Sequence, residues 1–241
     1  MMENQLKDKV VLVTGGSYGI GYGIAESLLK MGCRVAITSR KASSAREAAE
    51  ALSAATGGSA TGIKADVRSL EEMNQAMDEI KLIFGKLDVL VANAGIGHFA
   101  PIDELTDEQW HETIDTNLTG VFHSVKAAIP ALKKSKGYII TIASLAGTNF
   151  FEKGAAYNAS KFGLVGFTQA IMLDLRPYDI KVSTIMPGSV TSYFAGHTPN
   201  DADAWKIQPE DIGQMVVDLL RMNPRTLPSK IEVRPARTAK S

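Results

Sequence analysis

Short apolar runs alternate along the chain with longer stretches whose apolar residues recur every three or four positions. "VVLVTG", Val10 to Gly15, is an unbroken β-branched run, and "IAESLLKMG" after it reads as a helix stopping at Gly32. "RVAITS" is a second strand, and "ASSAREAAEALSAATGG" an Ala/Glu-rich helix closed by glycines. "SATGIKAD" makes a third, weaker strand. "SLEEMNQAMDEIKLIFG" reads as a helix opened by Ser69, with Glu72 three residues on completing a capping box. "LDVLVANAG" and "GYIITIAS" are the fourth and fifth strands, with two helical stretches between them. "GAAYNASKFGLVGF" is helical, "IKVSTIMPG" is the sixth strand, and a helix near Pro209 to Met222 precedes a last strand, "KIEV".

Strands buried on both faces read as continuous apolar runs, and their alternation with helices implies a parallel sheet. The expected architecture is a doubly wound α/β fold with helices on both faces of the sheet, residues 1–241 forming one domain. No linker, repeat or low-complexity segment divides it. A flexible tail is expected after about residue 234.

Composition narrows the function. Hydrophobic residues make up 45%, ordinary for a protein with a sizeable core. Lys+Arg and Asp+Glu are each 26, which argues against nucleic acid or an anionic membrane as the main partner. The single cysteine, Cys33, has no intramolecular disulfide partner and reads as a small buried hydrophobe, so the chain is expected to be cytoplasmic. The start "MMENQLKDK" does not read as a signal peptide, and no apolar stretch is long enough for a membrane span. His98, His111, His123 and His197 show no metal-site spacing, so no metal is expected.

Two segments carry candidate chemistry. The first strand-to-helix turn is "TGGSYGIG", with Gly15, Gly19 and Gly21. Glycines let the backbone turn tightly and approach a ligand, while the helix behind presents free N–H groups to phosphate. After the first strand of an alternating βα pattern, this turn points to dinucleotide binding. The second segment is "YNASK", which places Tyr157 and Lys161 on one helix face. On that segment alone, a lysine snorkelling beside a core tyrosine accounts for the pair.

The Gly-x-x-x-Gly-x-Gly turn resembles that of the short-chain dehydrogenase/reductase family in its single-domain form. So do "NAG" (Asn93, Ala94, Gly95), Asn117 in "DTNLTG", Ser144 after the fifth strand, Tyr157-x-x-x-Lys161 and "MPGSVTS" after the sixth. The matching runs from about Val10 to Thr191 in the family's order. The resemblance implies a Rossmann-type sheet of about seven parallel strands and hydride transfer between a carbonyl and an alcohol through a nicotinamide cofactor. It implies Tyr157 as acid/base, its phenol made more acidic by the Lys161 ammonium, and Lys161 also on the ribose hydroxyls. Ser144 would polarise the carbonyl, and Asn117 would hold a water linking Lys161 to solvent. Cofactor contacts are expected at Gly15, Ser17, Tyr18, Gly19, Ile20 and Gly21, and at Ser39, Arg40, Lys41, Asp66 and Val67. They continue through Asn93, Ala94 and Gly95 to Pro187, Gly188, Val190 and Thr191. For Asn93, stabilising the central strands is an equal alternative.

Cofactor choice has its own reading. An acidic residue about 20 positions beyond the glycines bonds the NAD ribose, whereas an arginine there accommodates the NADP phosphate. Here Ser39, Arg40 and Lys41 stand where that carboxylate is expected. A charge-assisted bond from Arg40 would contribute roughly 10- to 150-fold, so NADP(H) is expected, with Tyr18 in the turn weakening exclusivity. Gly163, Gly166 and Ala170 form a small-residue stripe suited to close helix packing, either within the chain or, as the resemblance implies, across a homodimer or homotetramer. "KKSKG", Lys133 to Gly137, reads as a solvated helix end. About 20 residues separate Gly188 from Pro209, a short lid that suggests an open pocket edged by Tyr193, Phe194, Phe150 and Ile96 to Phe99.

The expected function is an NADP(H)-dependent reductase of a small carbonyl or alcohol substrate. A 3-oxoacyl carrier-protein reductase is the alternative, weakened by the short lid and the ending "LPSKIEVRPARTAKS". A non-catalytic NADP(H) sensor would leave Asn117, Ser144, Tyr157 and Lys161 without work.

Overall fold

A computed structural model describes residues 6–238. Seven parallel strands form one sheet in the order β3-β2-β1-β4-β5-β6-β7. They are β1 (Val10–Val13), β2 (Arg34–Ser39), β3 (Ser59–Lys64), β4 (Val89–Ala92), β5 (Tyr138–Ile142), β6 (Lys181–Pro187) and β7 (Lys230–Val233). The order reverses between β1 and β4, which opens a crevice at the carboxyl ends of those strands. Several strands are shorter than their apolar runs. "LDVLVANAG" pairs only over Val89–Ala92, and its last residues peel away to line that crevice.

Helices cover both faces. Val10 and Leu12 of β1 point toward the layer of α3 (Leu70–Phe84), α5 (Gly120–Ser135) and α6 (Ala155–Leu175), packing in one core with Met73, Val125 and Leu164. Val11 and Val13 point the other way, toward α1 (Gly19–Lys30), α2 (Ala42–Thr56) and α7 (Pro209–Arg221), packing with Ile24, Leu52 and Ile212. The period-two alternation of strand side chains, buried on both sides, produces the unbroken apolar runs. α1 ends at Lys30, with Gly32 in the left-handed region just beyond.

One local expectation differs. Ser69 does cap α3, its hydroxyl accepting from Glu72 N–H at 3.2 Å. The Glu72 carboxylate does not return to Ser69; it accepts from Asp66 N–H at 2.8 Å and pairs with Lys64 at 3.0 Å. Ser69 N–H is instead satisfied by Asp66 O at 3.0 Å. A complete box closes α4 (Asp107–Ile114) instead, between Thr106 and Gln109. α4 then runs into α5 through a π-helical turn, Asp115–Thr119.

The expected tail lies partly outside the described residues, at 239–241. Within them, Pro235 packs beside Gly188 and Arg234 pairs with Glu232 at 3.3 Å. The small-residue stripe is divided: a Cβ on Gly163 would meet Leu118 at 2.9 Å, whereas one on Gly166 would meet nothing within 4 Å. Near the end of α5, Lys133 lies 3.4 Å above the Tyr178 ring and Lys136 pairs with Asp179 at 2.8 Å. Among the described residues, no helix is long and apolar enough to cross a membrane.

Candidate active site

A cavity of about 650 Å³ fills the crevice. At one wall stands the glycine turn. Gly15 has φ +63°, and a Cβ there would lie 2.9 Å from Ala94 Cα, so the β1 and β4 ends approach at a distance only glycine permits. Gly19, at φ +61°, starts α1, and no side chain caps that helix. Its first N–H groups and the positive dipole end therefore remain available to an anion. Ser17, Tyr18, Gly19 and Ile20 line the cavity. Gly21 does not; a Cβ there would meet Asn93 Nδ2 at 2.5 Å, so it serves close packing beneath the turn.

Ser39 and Arg40 line the β2 end, whereas Lys41 does not. Arg40 is paired with Glu112 of α4 at 3.7 Å, and the same carboxylate bonds His98 at 2.8 Å. Glu112 and His98 both line the cavity, and neither has a sequence signal: α4 approaches β2 only in the folded chain. Asp66 and Val67 line the neighbouring wall. Arg68 grips Asp66 through Nε and Nη2, at 3.0 and 2.6 Å, and this holds the carboxyl below its ordinary range.

Asn93, Ala94 and Gly95 also face the cavity. Asn93 Nδ2 donates to the carbonyls of Thr14 and Gly15 at 2.9 and 3.0 Å, tying β4 to the glycine turn, so the strand-stabilising role is present. Asn117 sits in the π-turn, fully buried and outside the cavity lining. Its Oδ1 accepts from Ile96 N–H at 2.8 Å, and its Nδ2 donates to Ile96 O at 2.9 Å and Ser160 Oγ at 3.0 Å. The extra residue of the π-turn carries Asn117 to the loop after β4, where it clamps Ile96.

Ser144, Tyr157 and Lys161 meet at the cavity floor. Ser144 follows β5 and caps the short turn Leu145–Gly147, accepting from Ala146 N–H at 3.1 Å and donating to Pro187 O at 3.4 Å, close enough to Tyr157 to act on its phenol. Lys161 is 4% exposed and donates to Ile142 O at 3.1 Å; its ammonium lies 5.6 Å from the Tyr157 ring centroid. Burial pushes the Tyr157 phenol up to about 12, opposed in part by Ser144. Burial likewise pushes Lys161 down to about 8. Desolvation opposes the charged form of each group.

At the end of β6, Pro187, Gly188 and Val190 line the cavity. Thr191 turns away, its hydroxyl donating to Asp203 O at 3.3 Å and accepting from Gln208 at 3.0 Å. The lid is short, and its aromatic residues reach the cavity. Tyr193 packs edge-on against Tyr18 at 6.2 Å, and the Phe194 ring lies 5.5 Å from that of Tyr157. Gly97 admits that ring, since a Cβ there would meet Phe194 at 2.6 Å. Phe99 packs against Tyr157 from the β4 loop, also at 5.5 Å. Phe150 is 86% exposed and takes no part in the lining. The lid also brings His197 and Lys206 to the cavity, residues that no motif marked. Among the described residues, no group of three or more His, Cys, Asp or Glu could hold a metal ion.

A parallel sheet with this order, a glycine turn at the switch point and a Ser-Tyr-Lys floor define a Rossmann-type oxidoreductase. Residues 9–203 match the family model for short chain dehydrogenases, and the chain belongs to that family. It is 33% identical over 232 residues to an uncharacterized oxidoreductase of Staphylococcus saprophyticus, covering 96% of this chain and 99% of that one. It is 36% identical to a putative ketoacyl reductase of Streptomyces coelicolor, covering 92% and 87% respectively. A metagenomic short-chain oxidoreductase in complex with NADP superposes with a TM-score of 0.84 at 33% identity, covering 97% of this chain and all of that one.

Proposed function

We propose that this chain is an NADP(H)-dependent reductase that interconverts a carbonyl and a secondary alcohol, with Tyr157 as its proton donor. The observation that carries the reading is the convergence of Ser144, Tyr157 and Lys161 on one end of a cavity whose other end is a glycine turn and an uncapped helix N-terminus. The residues fit a nicotinamide dinucleotide. Gly19, at positive φ on the cavity wall, keeps the turn free of a side chain, and the α1 N–H groups suit a diphosphate. Arg40 at the β2 end suits a 2′-phosphate, consistent with a relative crystallised with NADP. A bound reduced nicotinamide supplies the hydride.

The chain's own groups do the rest. Ser144 directs its hydroxyl at the carbonyl oxygen and stabilises the negative charge that develops there. Tyr157, held neutral by burial, delivers its phenolic proton to that oxygen. Lys161 keeps a positive charge beside the site below about pH 8 and offers its remaining N–H groups to ribose hydroxyls. Phe99 and Phe194 exclude water from the phenol. Asn117 keeps the Ile96 loop in place, and we assign to its surroundings the water path that reprotonates the floor. The chain acts as one domain in the cytoplasm. It assembles as a homodimer or homotetramer through the α5 and α6 face, where Phe122, Phe162 and Leu173 are exposed beside Gly166.

The name of the Streptomyces relative favours a second reading, reduction of a 3-oxoacyl thioester. Purified protein mixed with NADPH and a panel of ketones, aldehydes, quinones and a 3-oxoacyl thioester separates the two. NADPH oxidation with at least one simple carbonyl is expected. Turnover of the thioester alone supports the second reading, and tight NADPH binding with no oxidation across the panel supports a sensor.

A further inference from the structure

The lid brings to the cavity a lysine that the carbonyl chemistry leaves unused. Lys206 and His197 line it, while Asp203 lies behind them, 4% exposed and outside the lining. One Asp203 oxygen accepts from His197 Nε2–H and the other pairs with Lys206. The Asn200 N–H adds a bond to the same carboxylate at 3.3 Å. Lys206 foremost, then His197, holds this carboxyl down to about 2, so it stays ionised across the working range. A buried, ionised anchor fixes the Lys206 ammonium at the cavity surface, with His197 bonded to its other oxygen.

Lys206 also keeps donors to spare. Its ammonium has three N–H groups, one directed at Asp203, and its side chain remains 20% exposed. The other charged groups of the cavity are already engaged: Arg40 with Glu112, Asp66 with Arg68, and Lys161 with Ile142 O. The position suits substrate. His197 N–H donates to Phe194 O at 3.2 Å, so the cluster begins one turn of chain from the ring packed on Tyr157. Phe194 and Phe99, 6.2 Å apart, form an apolar wall beside the phenol.

We infer that Lys206, anchored by Asp203, forms an anion subsite of the substrate pocket, and that the substrate is a carbonyl or hydroxy compound bearing a carboxylate beyond an apolar ring or chain. This deepens the reductase reading and rests on it. The diphosphate of the dinucleotide is the competing anion for Lys206, so the test separates the two.

The full chain, saturated with NADP, is titrated calorimetrically with cyclohexanecarboxylate and with cyclohexanecarboxamide. The acid is expected to bind at least about 10-fold more tightly, the worth of one charge-assisted bond. Lys206→Gln should bring the two to parity with the NADPH Kd unchanged, and Lys206→Arg should keep the preference. Parity in the unaltered protein, or no binding of either, overturns the inference without the need for any variant. A Lys206→Gln loss of NADPH affinity of about 10-fold, with no acid preference in the unaltered protein, assigns Lys206 to the dinucleotide and also overturns it. Acid preference without reduction of 4-oxocyclohexanecarboxylate or any other ketone leaves the subsite standing and removes the reductase reading.

Discussion

Lys161 holds its ammonium 5.6 Å from the centroid of the Tyr157 ring, on the same face of α6, and bonds the Ile142 carbonyl. Burial acts on the two groups in opposite directions, raising the phenol to about 12 and lowering the lysine to about 8. At neutral pH both carry their protons. The floor of the cavity is therefore set to give a proton, which is what reduction of a carbonyl requires.

Keeping a buried cation costs stability. A shift from 10.5 to about 8 corresponds to about 3 kcal/mol at 1.36 kcal/mol per unit. Lys161→Met removes that cost and loses one hydrogen bond worth about 1 kcal/mol. The variant should melt roughly 4–8 °C higher while losing turnover. The sign with pH follows from linkage. Below about pH 8 the lysine is charged in both folded and unfolded chains, so the penalty is fully present. Between about 8 and 10.5 the folded chain has released the proton and the unfolded chain has not, so wild-type stability rises relative to the variant. Calorimetric melting at pH 7 and pH 9.5 should show the gap narrowing; a gap that widens with pH contradicts the assignment.

Arg40 and Glu112 make opposite predictions for cofactor choice. Arg40→Asp should lower kcat/KM with NADPH relative to NADH by at least about 10-fold. Glu112→Gln should tighten NADPH binding by roughly 2- to 5-fold, because the partly exposed carboxylate competes weakly for the same guanidinium. Fluorescence titration with both dinucleotides measures each. Weaker NADPH binding in Glu112→Gln would show that the carboxylate positions Arg40 rather than competing for it.

Asn117→Ala should destabilise the chain by about 2–4 kcal/mol. The truncation leaves the half-buried Ile96 N–H and carbonyl without their partner and opens a void at a fully buried position, while the Ser160 hydroxyl keeps Tyr157 O at 2.8 Å. Chemical denaturation checks the size. A change below about 0.5 kcal/mol would mean that the loop after β4 finds other partners.

The sheet and the chemical floor were legible because each rests on a local rule. Unbroken apolar runs marked strands buried on both faces, and glycine at positions 15 and 19 marked a turn with positive φ. Tyr157 and Lys161 were visible because four residues separate neighbours on a helix face. The Arg40–Glu112–His98 bridge was not legible, since it joins three elements distant in sequence. Nor was the seating of Phe194, which depends on Gly97 leaving room for its ring. The effect of burial at the floor was not legible for a related reason. Spacing shows that two side chains meet, but desolvation depends on everything packed around them.

Single-turnover mixing of the Tyr157→Phe variant, preloaded with NADPH, with the carbonyl that wild type reduces fastest is the most direct test. Phenylalanine preserves the ring against Phe99 and Phe194 and removes only the proton-bearing oxygen. NADPH affinity should stay within about 3-fold of wild type, and NADPH oxidation should slow by about 100- to 10,000-fold, the usual range for losing a general acid. Oxidation at the wild-type rate, with NADPH bound as before, would mean that substrate takes its proton from another group.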